Sequence, residues 1–207
     1  MRFSIRSSSI KRSWVGSVLA LSVVLCASPS AGQEDSMEMP PEMVAMMKAM
    51  MPGEPHQALA EAVGSFKMDF TFWSAPGMDP TKGEGMATRV MTNGGRILEE
   101  SVKASTMGMQ FEGVGQTGYD NVLGKHWATW VDTVSTGIYV SKETANENGT
   151  VTFDGASSDP MTGDMKPMKV VMHPEKDGAQ RSEFFTPDGA GGEFKMMEIT
   201  YTRESGS

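Results

Sequence analysis

Cysteine is almost missing from this chain: one residue, Cys26, among 207, with only three histidines beside it. No internal disulfide can form, and neither CxxC nor HExxH is present, so the common zinc and dithiol chemistries are excluded. A GxSxG nucleophile elbow is also absent, and so is a glycine-rich phosphate loop. The run PDGAGGE at 187–193 lacks the lysine and following helix that such a loop needs, and it reads as a hairpin turn. Basic residues are scarce, 18 against 26 acidic. No apolar run is long: the most extended, residues 14–27, falls short of the roughly 20 residues that cross a bilayer as a helix.

What is there begins with an export signal. Arg2, Arg6, Lys11 and Arg12 precede the short apolar run, and Ser28, Ser30, Ala31 and Gly32 follow it. This is the layout of a signal peptide, here over residues 1–31, and it predicts a periplasmic or secreted protein. Removing it takes away Cys26 and four basic residues, leaving 14 basic against 26 acidic and a net charge of −12. Such an acidic chain is kept in solution by its charge and disfavours phosphate backbones and anionic membranes. Nucleic acid is therefore not an expected partner, and neither is stable membrane insertion. With no disulfide available after export, the fold must rest on its own core. About 150 residues beyond the linker make one domain of ordinary size.

Residues 32–55 differ from the rest. An acidic, proline-bearing tether leads into PEMVAMMKAMMPG, where Met43, Met46, Met47, Met50 and Met51 recur at i, i+3, i+4, i+7 and i+8. That spacing predicts a short helix, started at Pro41 and stopped by Pro52-Gly53. A second short helix is expected over 56–63. Beyond Gly64 the period becomes two. Strands are expected over 65–74, 84–92, 95–105, 109–119, 125–133, 136–143, 149–154, 165–173, 180–186 and 193–203. Turn signals such as Asn93-Gly94-Gly95, Asp120-Asn121 and Asn148-Gly149 lie between them. The predicted class is all-β: an antiparallel meander of 8–10 strands over residues 56–207, closed into a lipocalin-like barrel that leaves no free edge.

Strand parity suggests what lines the interior. Phe111, Gly113, Gly115, Thr117 and Tyr119 share one face, and glycine inside a strand marks a bend or a close approach. In the next strand His126, Ala128, Trp130 and Asp132 alternate with Trp127, Thr129 and Val131. The first set, aromatic, small and polar together, suits a partly wet cavity. The second set faces outward or toward the N-terminal helix.

At these residues the chain resembles the bacterial domain-of-unknown-function family numbered 1579, exported proteins of lipocalin-like barrel type. The resemblance runs from about 52 to 203 and is carried by PGEPHQALAEAVGSF (52–66), GGRILEE (94–100), MGMQFEGVGQTGYDN (107–121), TWVDTVSTGI (129–138), DPMTG (159–163) and FKMMEITYTR (194–203). It implies a calycin-like fold and no established substrate, cofactor or catalytic residue. Barrels of this type often close their base with an arginine of the last strand over a Gly-x-Trp tryptophan. Here the string is Gly64-Ser65-Phe66, so the resemblance implies a cation–π contact of Arg203 on Phe66.

The candidate ligand-binding residues are Phe111, Tyr119, Trp130, Asp132 and Tyr139, with the rings supplying apolar contact and Asp132 fixing a polar end. Arg96 or Arg89 is the expected partner of a buried Asp132. The leading expectation is a non-catalytic binder of a small apolar molecule, with no cofactor. Two alternatives stand beside it: periplasmic copper(I) bound by the methionine-rich segment, and a filled barrel with a structural or interaction role. An enzyme using carboxylates of the cavity is a further class. The methionines have two readings without metal, as an adaptable face that docks on the barrel or covers its mouth, or as a sink for oxidants. His56 is expected to cap a helix, whereas His126 and His173 lie in strands from which either could ligate haem inside the barrel.

Overall fold

The period-two rhythm after Gly64 does form one wall. The computed structural model describes residues 39–106, 108–159 and 162–205. The expected signal peptide and most of the tether lie outside these residues. Two helices, α1 (Pro41–Met50) and α2 (Glu54–Glu61), precede ten strands: β1 (Gly64–Phe72), β2 (Thr81–Thr92), β3 (Ile97–Thr106), β4 (Met109–Asp120), β5 (Lys125–Asp132), β6 (Tyr139–Glu147), β7 (Thr150–Ser158), β8 (Met165–Met172), β9 (Ala179–Pro187) and β10 (Glu193–Arg203). Each strand pairs antiparallel with its neighbour in sequence, and β1 pairs with β10 to close the barrel. Closure satisfies the backbone groups that two edge strands would have left unpaired.

The turns follow their local chemistry. Asn148 (φ 51°) and Gly149 (φ 80°) form the two-residue connection between β6 and β7, where both positions need positive φ. The Asp120 carboxylate accepts the backbone N–H groups of Val122 and Leu123, the Asx turn expected at the end of β4.

Inside the wall, aromatic rings lie across glycines directly opposite them. Phe70 faces Gly83, and a Cβ placed on that glycine would come 2.2 Å from the ring. Trp130 faces Gly115 and extends over Gly113, where a Cβ would stand 2.2 Å from Cζ2. On the outer surface Trp127 covers Gly118 in the same way. The glycines expected to mark close approaches do so, and what approaches is an indole or phenyl ring lying flat on the strand.

The barrel base is closed as the resemblance implied. The Arg203 guanidinium lies 4.7 Å from the Phe66 ring centroid and donates to the carbonyls of Val63 (2.6 Å) and Glu61 (3.1 Å). Gly64 (φ 148°) leaves room for it, since a Cβ there would meet Nη1 at 2.4 Å. Phe66 is almost wholly buried, at 2 % exposure.

Helix α1 departs from expectation. The methionine face does not dock on the barrel: no residue of α1 is buried, and Met43, Met46, Met47 and Met50 are 46–62 % exposed. Only the end of the helix is held, by side chains from two barrel turns. Asn121 Nδ2 donates to the carbonyls of Met51 (2.8 Å), Ala49 (3.2 Å) and Lys48 (3.4 Å), and Arg96 Nη2 donates to that of Met50 (2.8 Å). These bonds satisfy carbonyls that a helix end leaves without partners.

Candidate functional site

Four of the five predicted residues come together on one wall. Phe111 stacks on Trp130 at 6.2 Å with 14° between planes, Trp130 Nε1 donates to Asp132 Oδ2 at 2.9 Å, and Trp130 is directly opposite Tyr139. Tyr119 lies apart, toward the helix-capped end of β4.

Asp132 has a different partner from the one expected. Its Oδ1 accepts the backbone N–H groups of Val134 and Ser135 at 3.0 Å, so the carboxylate ties the β5–β6 turn to the indole. Neither arginine reaches it: Arg96 holds α1, and Arg89 is engaged elsewhere. Through these three bonds Asp132 positions Trp130, and Oδ2 keeps accepting capacity beyond the indole N–H. Tyr139 is also engaged, its hydroxyl donating to the Met168 carbonyl at 3.1 Å, and burial pushes its phenol above the usual range.

Two apolar clusters face one another across the barrel. The first is built on Phe66, Met68, Ala87, Val102, Ala104, Ile199 and Tyr201, and the second on Tyr139, Phe153 and Val170. Trp130 and Phe184 pack against both clusters, yet they are only partly buried, as are Phe70, Phe111 and Met197.

Two polar groups inside the wall were not anticipated. In one, Arg89, 4 % exposed, is paired with Glu100, its direct register partner, and donates through Nη1 to Gln180 Oε1 at 2.6 Å. The guanidinium lies against the rings of Phe66 (4.6 Å) and Tyr201 (4.4 Å), which stand nearly perpendicular to one another. Burial, and then the nearby Glu100 charge, push the Tyr201 phenol far above its ordinary range. The Arg89–Glu100 pair was recoverable by counting back from the Asn93-Gly94-Gly95 turn. Gln180 was not, because β9 reaches this point only through barrel closure.

In the second group, His126 Nδ1 is 2.5 Å from Glu143 Oε2, with the two side chains 16 % and 12 % exposed. The Tyr119 and Phe153 rings lie steeply inclined to the imidazole, with centroids 4.9 Å and 6.5 Å from its own. His173, the other strand histidine, is on the outer surface in an ion network with Glu183, Arg181 and Lys195, so it offers nothing to the interior. Burial pushes the Glu183 carboxyl up, but hydrogen bonds from His173 and Lys195 outweigh it and hold the group below its ordinary range. His56 caps α2 as expected, accepting the Gly53 N–H at Nδ1 (3.1 Å). Among the described residues, no cluster of three or more His, Cys, Asp or Glu is placed to hold a metal.

A cleft of about 330 Å³ opens at the helix-capped end. Met50 and Met51 line it at the end of α1, His56 lines it from α2, and Ile97, Trp127 and Tyr119 line it from the barrel. Of the five predicted residues only Tyr119 reaches it.

Comparison with known proteins agrees with this geometry. No curated protein matches the chain. Among solved structures, a crystal structure of Rv2717c from M. tuberculosis is similar at a TM-score of 0.53 and 12 % sequence identity, covering 74 % of this chain and 99 % of that one. At that identity the likeness speaks to the fold alone. The pattern of one family spans residues 51–203, from the end of α1 to the last residue of β10. The chain belongs to that family, whose description is "Protein of unknown function (DUF1579)".

Proposed function

We propose that this is a non-catalytic binder of a small, mostly apolar molecule carried inside the barrel, acting after export by the leader of residues 1–31. One observation supports this most. Large apolar side chains that point inward from a closed wall, Phe70, Phe111, Trp130, Phe184 and Met197, remain partly open to solvent. Inward side chains of a filled barrel would be covered by one another. Partly covered aromatic rings bridging two buried clusters are what a ligand of apolar surface would complete, gaining about 25 cal/mol for each Å² removed from water.

Titration with N-phenyl-1-naphthylamine, a neutral dye that fluoresces in apolar surroundings, tests the reading. One saturable site per chain is expected. Trp130→Ala should weaken it by about tenfold, near 1.4 kcal/mol, with the far-ultraviolet dichroism of the barrel retained. An interior that takes up no dye, together with native mass spectra of host-purified protein that carry no small molecule, would defeat the proposal.

A second reading rests on a different observation, the exposed methionines of α1. Packing does not account for them, and adjacent thioethers on a helix face suit copper(I). Replacing Met43, Met46, Met47 and Met50 together by leucine is expected to lower copper(I) affinity at least tenfold in competition with a chromogenic chelator. Equal affinities would remove this reading.

A further inference from the structure

The His126–Glu143 pair takes no part in closing the barrel or in the Arg89 cluster, and its geometry is specific. Glu143 Oε2 accepts from the backbone N–H of His126 at 3.2 Å as well as meeting the ring at Nδ1. The carboxylate therefore stands where a strand carbonyl would normally accept, one position beyond the last regular β5–β6 pair, Trp127 with Lys142. On its other side the register of β6 against β7 shifts between Glu143 and Ala145. Glu143 shares the inward face of β6 with Tyr139 and Ser141, and it is the last residue of that strand paired in register before the bulge.

Because a carboxylate only accepts, it holds the imidazole proton on Nδ1, and in the neutral ring Nε2 then carries a lone pair. Among the described residues Nε2 has no hydrogen-bond partner, and no fully buried side-chain nitrogen or oxygen is left unsatisfied. In the neutral ring Nε2 is thus an oriented acceptor that is not sealed off by the surrounding side chains. Tyr119 and Phe153 set ring edges against the imidazole and fix its plane.

The charges around it narrow the class of ligand. Arg89 is the only buried arginine or lysine among the described residues, and it is committed to Glu100 and Gln180. Glu143 adds negative charge beside His126. An anionic head group at His126 would meet a carboxylate and no spare cation; a neutral hydroxyl would meet an acceptor. We infer that His126, oriented by Glu143, is the hydrogen-bonding anchor of the barrel interior, and that the molecule it receives is an uncharged apolar alcohol or phenol. This inference rests on the barrel-binding reading above.

Three probes of nearly equal shape separate the two claims: 1-naphthol, 1-methoxynaphthalene and naphthalene, titrated at pH 7 against the full chain. The anchor predicts that 1-naphthol binds at least tenfold more tightly than the other two. His126→Phe, which keeps a flat ring between Tyr119 and Phe153, should bring all three to parity without weakening naphthalene. Equal binding of all three to the wild-type protein would overturn the anchor and leave the barrel-binding reading standing. Binding of none would overturn both. If His126→Phe does not fold, the wild-type comparison of naphthol with both naphthalene and the methyl ether decides, because of the three only naphthol donates a proton, while the ether controls for the added oxygen and bulk.

Discussion

Methionine in place of Arg89 is expected to destabilise the barrel by about 3–5 kcal/mol, the range found when one partner of a buried ion pair is removed. Arg89 does three things from one buried position. It neutralises Glu100, donates to Gln180 of β9, and packs its guanidinium against the Phe66 and Tyr201 rings. Methionine retains part of the volume but none of the charge, so Glu100 is left as an uncompensated carboxylate beside the raised Tyr201 phenol, whose hydroxyl is 3.4 Å from it. Urea unfolding at pH 7 measures the loss as a lower midpoint at unchanged slope. The double variant Arg89→Met with Glu100→Met should recover most of it, since an apolar pair of similar volume is often as stable as a buried ion pair. A single variant that unfolds at the wild-type urea concentration would show that the pair contributes nothing.

Valine at Gly113 has the second large expected effect, and it falls on binding more than on stability. A Cβ at this position would stand 2.2 Å from Trp130 Cζ2, so the indole must leave the wall. It can move only inward, breaking the stack on Phe111 and the bond to Asp132 and occupying the space proposed for the ligand. Over-packing of this sort costs about 1–3 kcal/mol. Dye binding should fall by more than the tenfold expected for Trp130→Ala, because the indole becomes an obstruction in addition to being a lost contact. Gly113→Val combined with Trp130→Ala relieves the clash, so its stability should exceed the sum of the two single effects. Neighbouring sites that share one cause are expected to couple in this way. Strict additivity would mean that the glycine does not exist to seat the indole.

Much of the fold was legible because its causes are local. Alternation after Gly64, turn pairs such as Asn148-Gly149 and the pause at Asp120-Asn121 each act over a few residues, and the ten strands fall close to where these signals place them. The inward set of β4 and β5 followed from parity alone, which is why Phe111, Trp130 and Asp132 emerge on one wall. The failures share a cause of the opposite kind. Asp132 was matched to an arginine because a buried carboxylate needs a partner, but the nearest donors were its own turn and the indole two residues back. The methionine face was expected to pack because its spacing is helical, yet spacing says only that a face exists. Whether a surface meets it depends on where the barrel turns carrying Asn121 and Arg96 hold the helix end.

By itself the sequence determined the alternation, the turns and hence a meander of ten antiparallel strands, since each of these depends on steric preferences of neighbouring residues. Only the tertiary structure decided which distant side chains meet. Gln180 comes to Arg89 because β1 and β10 close the ring, and Glu143 comes to His126 because the register across a six-residue turn sets β6 against β5. Register between strands joined by a loop of that length is a balance of packing across the whole wall, and no short stretch of sequence carries it.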